Sequence, residues 1–103
     1  MKIVVFITVP KRAQAQQIAQ HIVEKKLAAC VNIIDKIDSF FWWQGKIDKA
    51  KELLLVIKTK KEKLNSLIKT VRLLHSYSVP EIIALPIIAG NKDYLNWLDE
   101  SLR

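Results

Sequence analysis

A chain of 103 residues, half of them apolar, has room for one domain spanning residues 1–103 with a core of modest thickness, and it excludes a disordered chain. Lys and Arg outnumber Asp and Glu by 17 to 10, and the net charge of +7 favours anionic partners without choosing among nucleic acid, phosphates and a membrane surface. A single cysteine cannot close an internal disulfide, so a reducing, cytoplasmic setting is expected, and no apolar run reaches the roughly 20 residues that span a bilayer.

Lys2 to Val9 is apolar and β-branched and is stopped by Pro10, which reads as a first strand; no small-residue cleavage site marks it as a leader. From Lys11 to Leu27 the apolar residues Ala15, Ile18, Ala19, Ile22, Val23 and Leu27 keep helical spacing, with Lys25 and Lys26 suiting the C-terminal dipole. Cys30 to Trp43 returns to strand chemistry, Gln44-Gly45 marks a tight turn, and Lys46 to Thr59 is the partner strand. A second helix presents Leu64, Leu67, Ile68, Val71 and Leu74 on one face. Ile82 to Ala89 is expected to form a fourth strand, and Gly90-Asn91 separates it from a last helix carrying Tyr94, Leu95, Trp97, Leu98 and Leu102. The order βαββαβ plus a terminal helix is that of a ferredoxin-like α+β sandwich. Pro86 cannot donate to a ladder, so its strand belongs at a sheet edge, where the strand order 4-1-3-2 puts it.

Such a sandwich packs both main helices on one sheet face, so a monomer should alternate apolar and polar residues along its strands. These strands do not. Val4-Val5-Phe6-Ile7 and Leu53 to Ile57 are apolar in both phases, and Phe40-Phe41-Trp42-Trp43 places Phe40 and Trp42 on one face and Phe41 and Trp43 on the other. An apolar open face predicts association, because the short terminal helix is too small to cover it.

The densest chemistry sits in His75-Ser76-Tyr77-Ser78-Val79-Pro80-Glu81-Ile82, which joins the second helix to the fourth strand with an imidazole, a phenol, two hydroxyls and a carboxylate. A fold needs only a turn there, so the surplus marks a candidate site. Structural readings compete with functional ones. Cys30 can be a small buried hydrophobe, His75 can act on the helix dipole, Tyr77 and Glu81 can fix the turn, and Lys58 can belong to a solvated cluster with Lys60 and Lys61. His21, on the polar side of the first helix, reads as solvated.

Taken together, Leu27-Ala28-Ala29-Cys30-Val31-Asn32-Ile33, Trp43-Gln44-Gly45-Lys46, Ile57-Lys58-Thr59, His75 to Ile82 and Tyr94-Leu95-Asn96-Trp97-Leu98 make the chain resemble the CutA family of divalent-cation tolerance proteins. The resemblance runs in order along essentially the whole chain. It implies a ferredoxin-like homotrimer with its sheets facing inward, as in the PII signalling proteins, and a cytoplasmic, non-enzymatic role in tolerance of or response to divalent metal ions such as copper. It also implies that the turn after the second helix, the end of the third strand and the start of the second gather near a cleft between subunits. On that basis His75, Cys30 and Glu81 are the candidate metal ligands, a soft-to-borderline donor set suited to copper or zinc. Lys58, Tyr77 and Trp43 are the candidate cleft residues. Some bacterial members are described as binding copper through a first-strand cysteine and two adjacent histidines; here those positions hold Ile7, Leu74 and His75, so only His75 matches.

Catalytic motifs are lacking: there is no HExxH, no paired carboxylates at helical spacing, and only Gly45 and Gly90 to build a phosphate loop. No organic cofactor is expected. Two other classes remain. The βαββαβ order with positive charge is shared with RNA-recognition domains, but these put stacking aromatics on the first and third strands, whereas Leu53-Leu54-Leu55-Val56-Ile57 is aliphatic, so no nucleic-acid partner is expected. A PII-like sensor of a small anionic metabolite is the other alternative.

Overall fold

The computed structural model describes all residues from Met1 to Arg103. The chain runs β1 (Lys2–Val9), α1 (Arg12–Glu24), β2 (Cys30–Trp43), β3 (Lys46–Lys60), a 3-10 turn (Lys61–Lys63), α2 (Leu64–Leu74), β4 (Ile82–Pro86) and α3 (Lys92–Ser101). The strands form one antiparallel sheet in the order β2-β3-β1-β4, with Pro86 in the edge strand as its missing N–H requires.

Alternation decides which side chains meet the helices. Ile3, Val5, Ile7 and Val9 of β1 and Leu53, Leu55 and Ile57 of β3 are buried against Ala15, Ile18 and Ile22 of α1 and Leu67 and Val71 of α2. The opposite phase, Val4 and Phe6 of β1, Leu54 and Val56 of β3 and Ile83 and Leu85 of β4, turns to the other face. There Ile83 and Leu85 are exposed and the central residues only partly covered. The open face is therefore apolar, as the strand composition predicts.

Two element ends differ from expectation by three residues each, the others by one at most. α1 stops at Glu24 instead of running to Leu27. The Leu27 N–H donates to the Ile22 carbonyl at 2.9 Å and the Lys26 N–H to the Val23 carbonyl at 3.0 Å, a Schellman ending with Lys26 at φ 56. Glycine normally marks this ending, and its absence hides the stop. β4 ends at Pro86 instead of Ala89: Pro86 pairs with Ile3, the Ile87 N–H donates to the Lys2 carbonyl at 3.0 Å, and β1 offers nothing further to pair with.

The β2–β3 hairpin is the longest feature and gives the molecule its 44 Å length. Its turn, Gln44 at φ 50 and Gly45 at φ 77, has the two positive φ angles of a type I′ turn, whose twist suits the strands that flank it. Midway, the register slips between Ile34 and Ile37, with Lys36 at φ 60. This bulge adds one residue to β2 and reverses its facing. Ile34 pairs with Leu54 on the open face, and after the slip Phe41 and Trp43, opposite Asp48 and Lys46, take that face instead.

Candidate functional site: the cleft past the end of β1

β1 pairs with β3 only as far as Val9 and Leu53, so Glu52 is the first β3 residue beyond that ladder. The gap is filled by the segment leaving α2, and His75 anchors that segment. Its Nδ1 accepts the Tyr77 backbone N–H at 3.0 Å, which obliges Nε2 to carry the proton and donate to the Thr8 carbonyl at 2.8 Å. The ring is buried and stacks at a tilt on Tyr77, with centroids 4.9 Å apart. Tyr77 in turn donates its phenol O–H to Glu52 Oε2 at 3.0 Å, and Ser76 donates to Gln14 Oε1 at 3.3 Å. Burial raises the Tyr77 pKa above 10.0, aided by the hydrogen bond to Glu52 and its negative charge.

Between this segment and the outer half of the hairpin lies a cleft of about 700 Å³. Its aromatic walls are Phe40, Phe41, Trp43 and Tyr77; Asp48, Glu52 and Glu81 supply carboxylates, and Thr8, Ser39, Ser76 and Ser78 supply hydroxyls. Tyr77 and Trp43, expected as cleft residues, both line it, and so does Glu81, expected as a metal ligand beside His75 and Cys30. His75 stands behind the wall as its anchor.

Cys30 and Lys58 are elsewhere. They are cross-strand partners, and Lys58 lies opposite Val4, four residues before Thr8 on β1. That is roughly 13 Å along the strand from the Thr8 carbonyl that His75 grips. At their end Lys58 donates to Asn32 Oδ1, and Cys30 lies against Tyr94, whose pKa is raised by burial and by the neighbouring thiol. His75, Cys30 and Glu81 therefore do not form a ligand set within one chain, and no three His, Cys, Asp or Glu side chains are grouped to hold a metal ion. Both His75 nitrogens are already engaged, so the ring has no free lone pair for copper. Within a single chain the residues do not fit a copper site.

The residue that sequence reasoning missed is Glu52, which is only 7% exposed. Its signal was available: it is the last acidic side chain of β3, directly before the Leu53-Leu54-Leu55 run.

The CutA1 divalent ion tolerance family matches residues 3–101. The chain belongs to this family. It is 47% identical over 98 residues to the divalent-cation tolerance protein CutA of Archaeoglobus fulgidus, covering 95% of each chain. It is 48% identical to the chloroplastic CutA 1 of rice, of which it spans 57% of the length. The solved structure of the divalent cation tolerance protein from Thermus thermophilus superposes with a TM-score of 0.97 at 48% identity, covering 98% of both chains. As a CutA1 chain it has the α+β fold of those structures, and the family relates it to tolerance of divalent cations.

Proposed function

We propose that this CutA1 chain acts as a homotrimer in tolerance of divalent metal ions, copper among them, without enzymatic activity and in the cytoplasm. Family membership supports the tolerance role, and the open sheet face carries the assembly. Ile34, Phe41, Trp43, Ile83 and Leu85 all lie on that face and are exposed in the single chain. Burying one such side chain contributes about 2–3 kcal/mol, so a partner surface is strongly favoured. Three-fold stoichiometry rests on the family resemblance. The cytoplasmic placement rests on the lone thiol Cys30. A rice relative is named chloroplastic and the A. fulgidus structure periplasmic, so the family is not confined to one compartment.

One chain gathers no three-residue ligand set for copper, so a fully protein-ligated ion would draw donors from more than one subunit, with Cys30 the softest available. Growth of cells lacking the protein in raised copper, zinc or manganese, with and without the wild-type chain restored, tests the role. Restored growth in at least one ion is expected; identical growth in all three overturns it. Sedimentation of the purified protein at three times the chain mass tests the assembly, and fractionation of the same cells tests the compartment.

A further inference from the structure

Almost all of the net charge lies on one layer of the molecule. Residues 11–26, which hold α1, and 61–74, which hold α2, carry eight Lys and Arg against Glu24 and Glu62, so six of the seven net positive charges belong to the helices. The outer hairpin, residues 35–52, sets four Lys against four carboxylates and is neutral. Ala15, Ile18 and Ile22 of α1 and Leu67 and Val71 of α2 are buried on the sheet, and the residues between these anchors, Gln16, Gln17, Asn65 and Ser66 among them, are exposed. The basic side is thus turned away from the apolar sheet face proposed to meet partner subunits.

The two helices run antiparallel. Ser76, past the end of α2, donates to Gln14 near the start of α1 at 3.3 Å, and Thr59, ahead of α2, donates to the Leu27 carbonyl past the end of α1 at 2.7 Å. Two of the eight cations are committed, Arg12 to Asp35 at 3.2 Å and Lys26 to the Arg103 carbonyl at 2.8 Å. No carboxylate lies within ion-pair distance of the other six. Lys11 and Arg72, with Lys69 one turn away, gather at one end of the layer; Lys25, Lys61 and Lys63 gather at the other, about 20 Å along the helices. Helix stability does not account for them. Lys11 and Lys63 are the N-caps of α1 and α2 and Lys61 lies just ahead, where the helix dipole disfavours a cation, and neither helix has an acidic residue in its first turn.

The partner this face fits is an extended anion, since two groups so far apart are out of reach of a single phosphate. A membrane surface calls for an apolar ridge, but the exposed Val23 and Leu73 stand at opposite ends of the layer. Single-stranded nucleic acid calls for aromatic platforms, and neither helix carries Phe, Tyr or Trp. Five of the six free cations are Lys, point charges suited to phosphate oxygens, and only Arg72 offers the planar fork that matches a carboxylate. We propose that the outward face of α1 and α2 binds linear inorganic polyphosphate. Lys11, Lys69 and Arg72 hold one stretch of the chain, Lys25, Lys61 and Lys63 hold another, and the amides of Gln16, Gln17 and Asn65 donate to the oxygens between. The surface does not rest on the tolerance role, and assembly through the open sheet face leaves it outward on every copy.

Fluorescence anisotropy of end-labelled polyphosphate titrated with the assembled protein at neutral pH tests the surface, with tripolyphosphate as a competitor too short to span it. Saturable binding is expected, weakening linearly in the logarithm of salt concentration and displaced by tripolyphosphate only at far higher total phosphate. Lys69→Glu with Arg72→Glu should weaken it about tenfold or more, and so, separately, should Lys25→Glu with Lys61→Glu. Lys49→Glu with Lys51→Glu makes the same change of charge on the neutral hairpin and should shift affinity by less than about twofold, because distant charges are screened. All of these side chains are exposed. Should one helix pair misfold by circular dichroism, the other carries the test. Absence of saturable binding, equal displacement by tripolyphosphate at matched phosphate, or an equal loss in the hairpin pair overturns the surface. Tighter binding of duplex DNA or of poly-glutamate at matched charge overturns polyphosphate as its partner.

Discussion

The two ends of the sheet are finished in opposite ways. At the end where β2 begins, the chain supplies its own cover. α3 buries Leu98 and Leu102, Lys60 Nζ reaches Asp99 Oδ1 at 3.1 Å, and Lys26 Nζ bonds the Arg103 carbonyl at 2.8 Å. At the hairpin end nothing comparable arrives: Phe40 is 71% and Trp42 73% exposed, with Phe41 and Trp43 open beside them. Aromatics are costly to leave in water and easily removed by a polar substitution, so a hairpin that keeps four in a row needs a use for them. One end is completed by the chain itself. The other is completed by something that meets it.

The sharpest way to break this contrast is to charge the unfinished end. Phe41→Asp or Trp43→Asp places a carboxylate on the face proposed to meet partner subunits, and should dissociate the assembly at concentrations where the wild type stays associated. Sedimentation velocity reads the outcome directly, and an unchanged mass in both variants would remove these residues from the interface. The self-completed end should respond through stability instead. Leu98→Ala leaves a cavity under α3 and is expected to cost about 2–5 kcal/mol in chemical denaturation, with sedimentation at low denaturant unchanged. A loss below about 1 kcal/mol would mean that α3 is not held by its own packing.

The brace behind the cleft should come next in size. His75→Ala strips the buried Thr8 carbonyl and the Tyr77 N–H of their partner at once, and is expected to cost about 2–4 kcal/mol. The same variant tests the copper reading, since a ring with both nitrogens engaged contributes nothing to metal affinity. A copper titration that weakens in folded His75→Ala would show that the ring is released to bind.

Much of this architecture was legible from the strands because one phase of β1 and β3 is apolar for the helices and the other is apolar with no helix to meet it. The four-strand order came with the βαββαβ succession of elements, and Pro86, whose missing N–H confines it to an edge, agreed with it. What stayed hidden was chemistry made by backbone geometry. Lys26 ends α1 in a left-handed conformation that Lys does not advertise, and the bulge at Asp35 and Lys36 moves Phe41 and Trp43 to the open face without a glycine to announce it. The site was half legible for a related reason. Tyr77 and Glu81 were found from the density of functional groups in their turn and Trp43 from the family resemblance, but the register that sends Cys30 and Lys58 to the other end of the sheet is a property of pairing, not of local sequence. Glu52 looks like one more solvated carboxylate until β1 is seen to stop one residue short of it.

Tyr77→Phe removes only the hydroxyl that holds Glu52, and should cost about 1 kcal/mol in denaturant midpoint at neutral pH. The same substitution changes the alkaline limb. A phenol whose pKa is raised on folding is neutral in both states below 10.0, and its contribution is lost as pH climbs from there toward the folded value. Wild-type stability should therefore fall above that pH more steeply than that of Tyr77→Phe. Tyr94, also raised, leaves a residual slope in the variant. Parallel curves would show that Tyr77 ionises freely in the folded chain.

The smallest effect belongs to the ion pairs that close the self-completed end. The ammonium of Lys60, bonded to Oδ1, holds the Asp99 carboxyl below 3.8, and Arg103 at 3.3 Å from Oδ2 adds to it. A carboxylate depressed in the folded state contributes its full stability above the ordinary value and loses it as pH falls through the lower folded one. Denaturation midpoints should accordingly decline below about pH 4 in the wild type and decline less in Asp99→Asn. Glu62, held low first by its own backbone N–H and then by the terminal amine, supplies part of the slope that remains. The group is at the surface, so raising the salt concentration should shrink the difference between the two proteins, whereas it should leave the Leu98→Ala loss untouched. A salt-insensitive gap would place Asp99 among the packed contacts of α3 instead of its screened ones.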